Sequence, residues 1–401
     1  MAVKKGAVMK RLSTERRAYE IRRAIKGLRR RSRKKYVLLT SGGMPSKFTS
    51  DQIRRAKLIT IRSARGDESA RVVEPARPVP AILSLNRNFE ETSKFIFNVR
   101  ESLADGCADE YMPKSNQHLK AIERSHKNLK TYFDFSMIEE ISASVALILA
   151  AEYDCYRRVG GFVPGAVDMH LWKPEVRAIL EGIGFLDMAG VRKQGPTYLE
   201  GSDWKILRFK SGSEADGEQV GNLLSELGVD AALDNPELYG AILEALVNTR
   251  HHAYPKDVAF SAPFFPGWWL TGFVDHGSRR LRISVYDRGL SIPGTLQTWD
   301  KYSLFQRAWR RVFSILPDPD DVSRDGSAIA LAMEVGRSST GEGYRGKGLP
   351  SMEDALDLCV EGAITIYSRT GEYRRLKGQK PHYVNRNASI GGTLVTWDLR
   401  F

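Results

Sequence analysis

The sequence predicts an α+β protein whose C-terminal half is a largely antiparallel sheet with helices on one face. Three observations carry this. PGWWLTGFVD with RRLRISVYD, and GAITIYSRTG with GGTLVTWDLRF, are paired apolar runs with the alternation and turn chemistry of hairpins. Glu218–Leu227 and NPELYGAILEALVNTRHHAY place apolar residues at helical spacing. At 401 residues the chain exceeds one ordinary core, so two or three units are expected.

Charge separates the first unit from the rest. The net charge is +13, but residues 1–80 hold 23 Lys+Arg against 6 Asp+Glu, while the remainder holds 38 against 42. Residues 1–35 read as one basic helix, with Ile21, Ile25 and Leu28 at helical spacing. SDQIRRAKLITIRSARGDESARVV continues the basic stretch, and EPARPVPA (74–81) is a Pro-punctuated link. Residues 1–78 are therefore assigned to a basic helical extension and linker. Such a run attracts nucleic acid, acidic lipid or an acidic partner by long-range electrostatics, or else remains a solvated extension.

Residues 79–200 read as a small α/β unit. AILSL, TYFDFS (131–136) and VDMHLW are strand candidates. NFEETSKFIFNVRESLADG, IEEISASVALILAAEYDCYRRVGG and PEVRAILEGIGFLDM are helices closed by glycines. The succession FDFS, ISAS, GG and LEGIGF resembles the STAS domain of anti-sigma factor antagonists. That resemblance, over roughly 100 residues, implies a protein partner for this unit and a phosphoacceptor serine at Ser142 or Ser144. The alternative is that both serines satisfy backbone donors at a helix start.

Residues 201–401 carry the candidate chemistry. DWKILRFKSG opens the unit as a strand. The helix beginning at Asn235–Pro236 places Glu244, Asn248 and His252 at spacing four, on one stripe. DRGLSIP (287–293) follows the apolar strand LRISVY, GEGYRGKGL (341–349) opens the amphipathic helix PSMEDALDLC, and GGT (391–393) lies inside the last strand. In this order the four segments resemble the GHKL (Bergerat) ATP-binding sandwich of histidine kinases, gyrase- and chaperone-type ATPases and anti-sigma-factor serine kinases. EALVNxxxHAY stands nearest the last group.

The resemblance implies ATP and Mg²⁺ as cofactors. Glu244 would orient and deprotonate the water attacking the γ-phosphate. Asn248 would give Mg²⁺ an oxygen ligand without adding negative charge. His252 would reach a phosphate or the lid, or is a helix-end residue held by a carbonyl. Asp287 would accept the exocyclic amine of adenine, with Gly289 and Ile292 beside the base and Thr393 contacting it through a water. The second glycine of the family's DxGxG is Ser291 here, which puts the local turn in question. Gly343, Arg345, Gly346, Lys347, Gly348 and Leu349 would cradle phosphates at a helix start. The roughly 45 residues between Gly294 and Gly341, with a helix expected over residues 302–316, are where the family carries its ATP lid.

Other chemistry finds no carrier. The chain has no HExxH, no CxxC pair and no GxSxG. Nor does a phosphoacceptor-histidine helix precede the C-terminal unit, which argues against a sensor histidine kinase. No apolar run approaches the roughly 20 residues that span a bilayer. The N-terminus lacks a signal-peptide core, and Cys107, Cys155 and Cys359 are scattered. These point to a cytoplasmic protein with reduced thiols. The leading expectation is an ATPase acting as a conformational or dimerisation switch, in stress response or defence, with a homodimer implied by the family. The alternatives are a serine/threonine kinase acting on a STAS domain, and a non-hydrolysing ATP sensor whose basic arm grips nucleic acid.

Overall fold

The computed structural model describes residues 57–63, 68–75, 79–106, 131–160, 162–164, 169–188, 203–228, 235–260, 264–338, 348–357 and 359–400. The helix expected over residues 1–35 lies outside the described residues. Before and within the central unit run β1 (Lys57–Ser63), β2 (Glu68–Pro75), β3 (Ile82–Leu83), β4 (Thr131–Tyr132), β5 (Glu140–Ile141) and β6 (Phe162–Pro164), with α1 (Phe89–Gly106), α2 (Ala143–Gly160) and α3 (Pro174–Gly182). β1 pairs antiparallel with both β2 and β6, β4 joins β2 in parallel, and β3 and β5 form a separate parallel pair.

Within residues 1–78, the strands over 57–63 and 68–75 correct the assignment of that part to helix and linker. The β-branched runs Ile59-Thr60-Ile61 and Val72-Val73 form a hairpin that joins the central unit through β6. TYFDFS is a strand only at Thr131–Tyr132. The Asp134 carboxylate then accepts from the backbone and hydroxyl of Ser136, which turns the chain into a 3₁₀ segment. The strand expected at VDMHLW lies upstream at β6, and Met169–Leu171 is 3₁₀.

The C-terminal sheet is built from β7 (Trp204–Ile206), β8 (Lys210–Gly212), β9 (Trp268–Asp275), β10 (Arg280–Asp287), β11 (Glu361–Ser368), β12 (Gly371–Leu376), β13 (His382–Asn385) and β14 (Thr393–Arg400). Its order is β13-β12-β11-β14-β10-β9-β7, with β8 also on β9, and every pairing is antiparallel. Both expected hairpin partnerships are present, and the polar stretch between β11 and β14 adds two further strands. DWKILRFKSG divides into β7 and β8 because the Phe209 N–H is diverted to the Ile183 carbonyl of the central unit, at 3.1 Å. The sheet's helices are α4 (Gly217–Leu227), α5 (Pro236–Asn248), α6 (Ser291–Thr295), α7 (Tyr302–Phe313) and α8 (Asp325–Ser338).

Helices cover this sheet on both faces. Successive strand residues point to opposite sides. On β10, Leu281, Ile283 and Val285 enter the core under α4, α5 and α8, whereas Tyr286 enters the core under α1 and α2. Trp268 and Trp269, neighbours in sequence, are both fully buried for the same reason. The α+β class holds, but the boundary at residue 200 is not a gap between bodies. The central helices form the third layer, and α2 packs on β9 and β10.

Polar groups fix that layer. Glu152 of α2 has no exposed surface. Arg100 of α1 reaches it at 2.5 Å, the Arg288 guanidinium lies 3.3 Å away, and the Tyr286 hydroxyl donates at 3.4 Å. Burial pushes the Glu152 carboxyl up, but the charges of Arg100 and Arg288 outweigh it and hold it below its ordinary range. Arg100 also donates to the carbonyls of Ile390 and Gly391. Two residues on, Asp154 accepts from Arg157, Arg158 and the Trp269 indole of β9. Ser142 caps α2 by accepting from the Val145 N–H at 3.3 Å, and its hydroxyl lies 3.2 Å from that of Ser144.

Removing Glu152 takes the shared carboxylate from the buried Arg288 and the half-buried Arg100, which costs about 3–5 kcal/mol. Glu152→Ala is expected to lower the urea midpoint of the full chain accordingly. The wild type should lose the central helices and the sheet in one transition. Two separate transitions would show the central unit to be an independent domain.

Candidate functional site

The site is built on one rung of the sheet and the end of one helix. Trp268, Asp287, Thr393 and Ser368 stand in register across β9, β10, β14 and β11. The Asp287 Oδ1 accepts from the Gly289 N–H at 2.8 Å, and Oδ2 from the Thr249 hydroxyl at 3.4 Å. The hydroxyls of Ser368 and Thr393 lie 2.8 Å apart, and Ser368 Oγ accepts from the Ile292 N–H at 2.8 Å. Asp287 is 7% exposed. Burial pushes its carboxyl up to about 7, against the Gly289 N–H, the Thr249 hydroxyl and the Thr393 backbone, which lower it.

Two glycines let the backbones close around this carboxylate. A Cβ on Gly392 would lie 2.0 Å from the Asp287 carbonyl oxygen, and one on Gly289 would lie 2.4 Å from the Ala253 carbonyl oxygen. The departure at Ser291 has a visible consequence. It has φ +78°, in the left-handed region that favours glycine, and it is buried. The chain tolerates it by starting α6 there, with Ser291 Oγ 3.4 Å from the Gly294 N–H.

α5 begins as expected, with Asn235 accepting from the Leu238 N–H at 2.7 Å and Pro236 in the first turn. Leu238, Ala241, Ile242, Ala245 and Leu246 bury one face, leaving Glu244 and Asn248 half-buried on the other. The Asn248 amide donates to Glu244 at 3.2 Å. Burial pushes the Glu244 carboxyl up, offset by Asn248 and the charge of His251.

His252 leaves the stripe. The α-helix ends at Asn248, and Thr249–Ala253 is a π-turn whose i→i+5 bonding breaks the four-residue alignment. His251 is the imidazole whose charge reaches Glu244. His252 is exposed, with its ring 6.3 Å from that of His251 and Asp300 as its acidic neighbour. The π-turn also positions Thr249, which bonds both the Ala245 carbonyl and Asp287, and so joins the helix end to the rung.

Gly343, Arg345, Gly346 and Lys347 lie outside the described residues. The chain on either side is pinned. Arg337, at the end of α8, pairs with the buried Glu353 at 2.5 Å, and Glu353 also binds Arg375 and the Tyr373 hydroxyl. Gly348 caps Leu349–Leu356, which is 3₁₀ rather than the amphipathic α-helix expected. Pro350 provides no N–H, and the Met352 carbonyl is taken by the Trp397 indole at 2.7 Å. Leu349 and Ile292 both pack where two core clusters meet.

The expected lid is largely a packed body. Between Gly294 and Ser338 stand α7, as predicted, and α8, which was not. Leu296, Phe305, Trp309, Leu331 and Val335 give them a core of their own. Asp325, buried at the start of α8, holds Arg369 and Thr370 of the β11–β12 turn.

Asp287, Gly289, Ile292 and Thr393 therefore converge, with Glu244 and Asn248 joined to them through Thr249. Sequence reasoning missed Thr249, Ser368 and Arg288. Thr249 stands next to Asn248, but only the π-turn aims it. Ser368 required the β11–β14 register, and Arg288 points to a carboxylate in another layer.

No family model matches the chain, and no curated protein or solved structure matches it. Among the described residues no three of His, Cys, Asp and Glu gather as a metal site, and no helix is long and apolar enough to cross a membrane. Cavities of about 320 and 430 Å³ open on the other face of the sheet, away from Asp287.

Asp287 makes stability depend on pH with a definite sign. Its folded pKa is raised, so the cost of ionising it is absent below about pH 4 and grows to at most about 4 kcal/mol above pH 7. Asp287→Asn should match wild type at pH 4 and exceed it in urea midpoint at pH 8. Equal stabilities at both pH values would show that the carboxyl is not desolvated. Ser291→Gly should stabilise by about 1 kcal/mol through relief of the left-handed backbone, read in the same urea series.

Proposed function

We propose that the chain binds Mg²⁺-ATP between the end of α5 and the Asp287 rung and hydrolyses it as a GHKL-type switch ATPase. Asp287 carries the proposal. A buried acceptor carboxylate stands at the end of a central strand, with backbone brought against it at Gly289 and Gly392. Such a group suits the exocyclic amine of adenine, and Thr393 and Ser368 supply hydroxyls beside it. Residues 341–347 would supply the phosphate side.

The helix end fits the remaining chemistry. The Asn248 amide nitrogen is committed to Glu244, which leaves Oδ1 to serve as the oxygen ligand that Mg²⁺ prefers. When bound, Mg²⁺ neutralises charge developing on the phosphates. Glu244 would act as the general base, a role its raised pKa supports. The STAS-like character of residues 79–200 belongs to the same proposal. The α1–α2 layer would read the nucleotide state through Arg100, which touches the strap before Thr393.

The test is ATP binding and turnover by wild type, Glu244→Ala and Asp287→Asn. Wild type should release phosphate. Glu244→Ala should bind ATP with turnover about 100-fold lower or less. Asp287→Asn, folded by its urea midpoint, should lose binding. Turnover should fall on the acid side, above the ordinary carboxylate range, as Asp287 and Glu244 protonate. Label transferred from ATP to protein would make the chain a kinase, and binding without either product a sensor. Failure of wild type to bind ATP would overturn the proposal.

A further inference from the structure

The two cavities on the α1–α2 face of the sheet are continuous, sharing Ala363, Arg374 and Asp398. One, about 320 Å³, lies between the sheet and the starts of α1 and α2. Leu85, Ile179, Phe273 and Tyr367 give it apolar and aromatic walls, and Ser142 and Ser144 stand at its edge. The other, about 430 Å³, runs along the strands toward Arg400. Volumes of this size, with apolar walls and a few convergent polar groups, are those of small-molecule sites.

Charge along the trough is in cationic excess. Asp398 is the single carboxylate for two guanidiniums, Arg282 at 2.5 Å and Arg280 at 3.2 Å. Arg87 is paired by Glu140, and Arg400 by Glu361 at 3.3 Å. Lys377 donates only to backbone carbonyls. The Arg374 guanidinium, on the wall common to both cavities, has no hydrogen-bond or ion-pair partner among the described residues. Its charge is felt at Tyr367, whose hydroxyl donates to Asn86 at 2.5 Å.

We propose that this trough is a binding site for a small organic anion. An aromatic or apolar body enters the cavity under α1 and α2, and a phosphate or carboxylate head is held by Arg374 and the Arg280–Arg282 pair. A guanidinium fork matches such an oxyanion in bidentate geometry. The site is independent of ATP binding and stands on the opposite face of the sheet from Glu244.

The probe is 1-naphthyl phosphate, followed by its fluorescence on the full chain, with inorganic phosphate and neutral 1-naphthol as controls. Binding should be saturable, weaken with salt and exceed that of either control at least tenfold. Arg374→Gln should weaken it about tenfold, and Arg374→Lys should restore part of the loss. Arg374 is exposed, so the fold is expected to survive, checked by an unchanged urea midpoint. Absence of saturable binding, or binding unchanged in Arg374→Gln, would each overturn the proposal. None of these outcomes depends on whether the chain hydrolyses ATP.

Discussion

A carboxylate without access to water organises the layers of this protein. Glu152 sits inside α2, and burying it is tolerable only because charged donors are brought to it. Those donors come from α1, through Arg100, and from the end of β10, through Tyr286 and Arg288. Apolar packing alone would allow the helical layer to slide over the sheet. Charged hydrogen bonds with fixed directions define one seating. Because Arg100 also grips the Ile390 and Gly391 carbonyls, that seating extends to the strap against which Asp287 lies.

The Asp287 rung inherits this rigidity. Four residues from four adjacent strands share one level, and the backbone contacts at Gly289 and Gly392 admit no larger side chain. Ser291, four residues after Asp287, is held at φ +78°, where packing overrides local backbone preference. Thr249 then connects this fixed level to the helix end with Glu244 and Asn248. The π-turn that aims it is a local irregularity of the kind that recurs at functional sites.

The same strands carry two chemically different ends. β10 and β14 present Asp287 and Thr393 at one end, and Arg282 and Asp398 at the other. The first is short of charge and closely packed, and the second is rich in guanidinium groups over open volume. An antiparallel sheet covered on both faces can offer separate sites in this way. Each face and each end has its own neighbours, while the hydrogen-bonded ladder between them stays common.

Much of the fold was legible because it rests on local rules. The strand alternation of WWLTGFVD and LRISVYD, the Asn235–Pro236 start of α5 and the helical stripes of α1 and α7 appear where their periodicity put them; α2 does so only from Ala143, because Glu140–Ile141 at the head of the expected helix pairs as β5 with β3. Asp287, Gly289 and Thr393 could be singled out because residue type, strand end and turn chemistry coincide there. What required the tertiary structure was long-range. The β1–β6 pairing joins segments a hundred residues apart, and helices covering the second face of the sheet belong to a stretch that reads as its own domain. The π-turn that removes His252 from the stripe and the 3₁₀ segment after Gly348 were also set by distant partners, among them Asp287 and Trp397. Sequence determined which residues could form elements and carry charge. Only packing decided which of those charges would be buried together, because that depends on contacts no local pattern encodes.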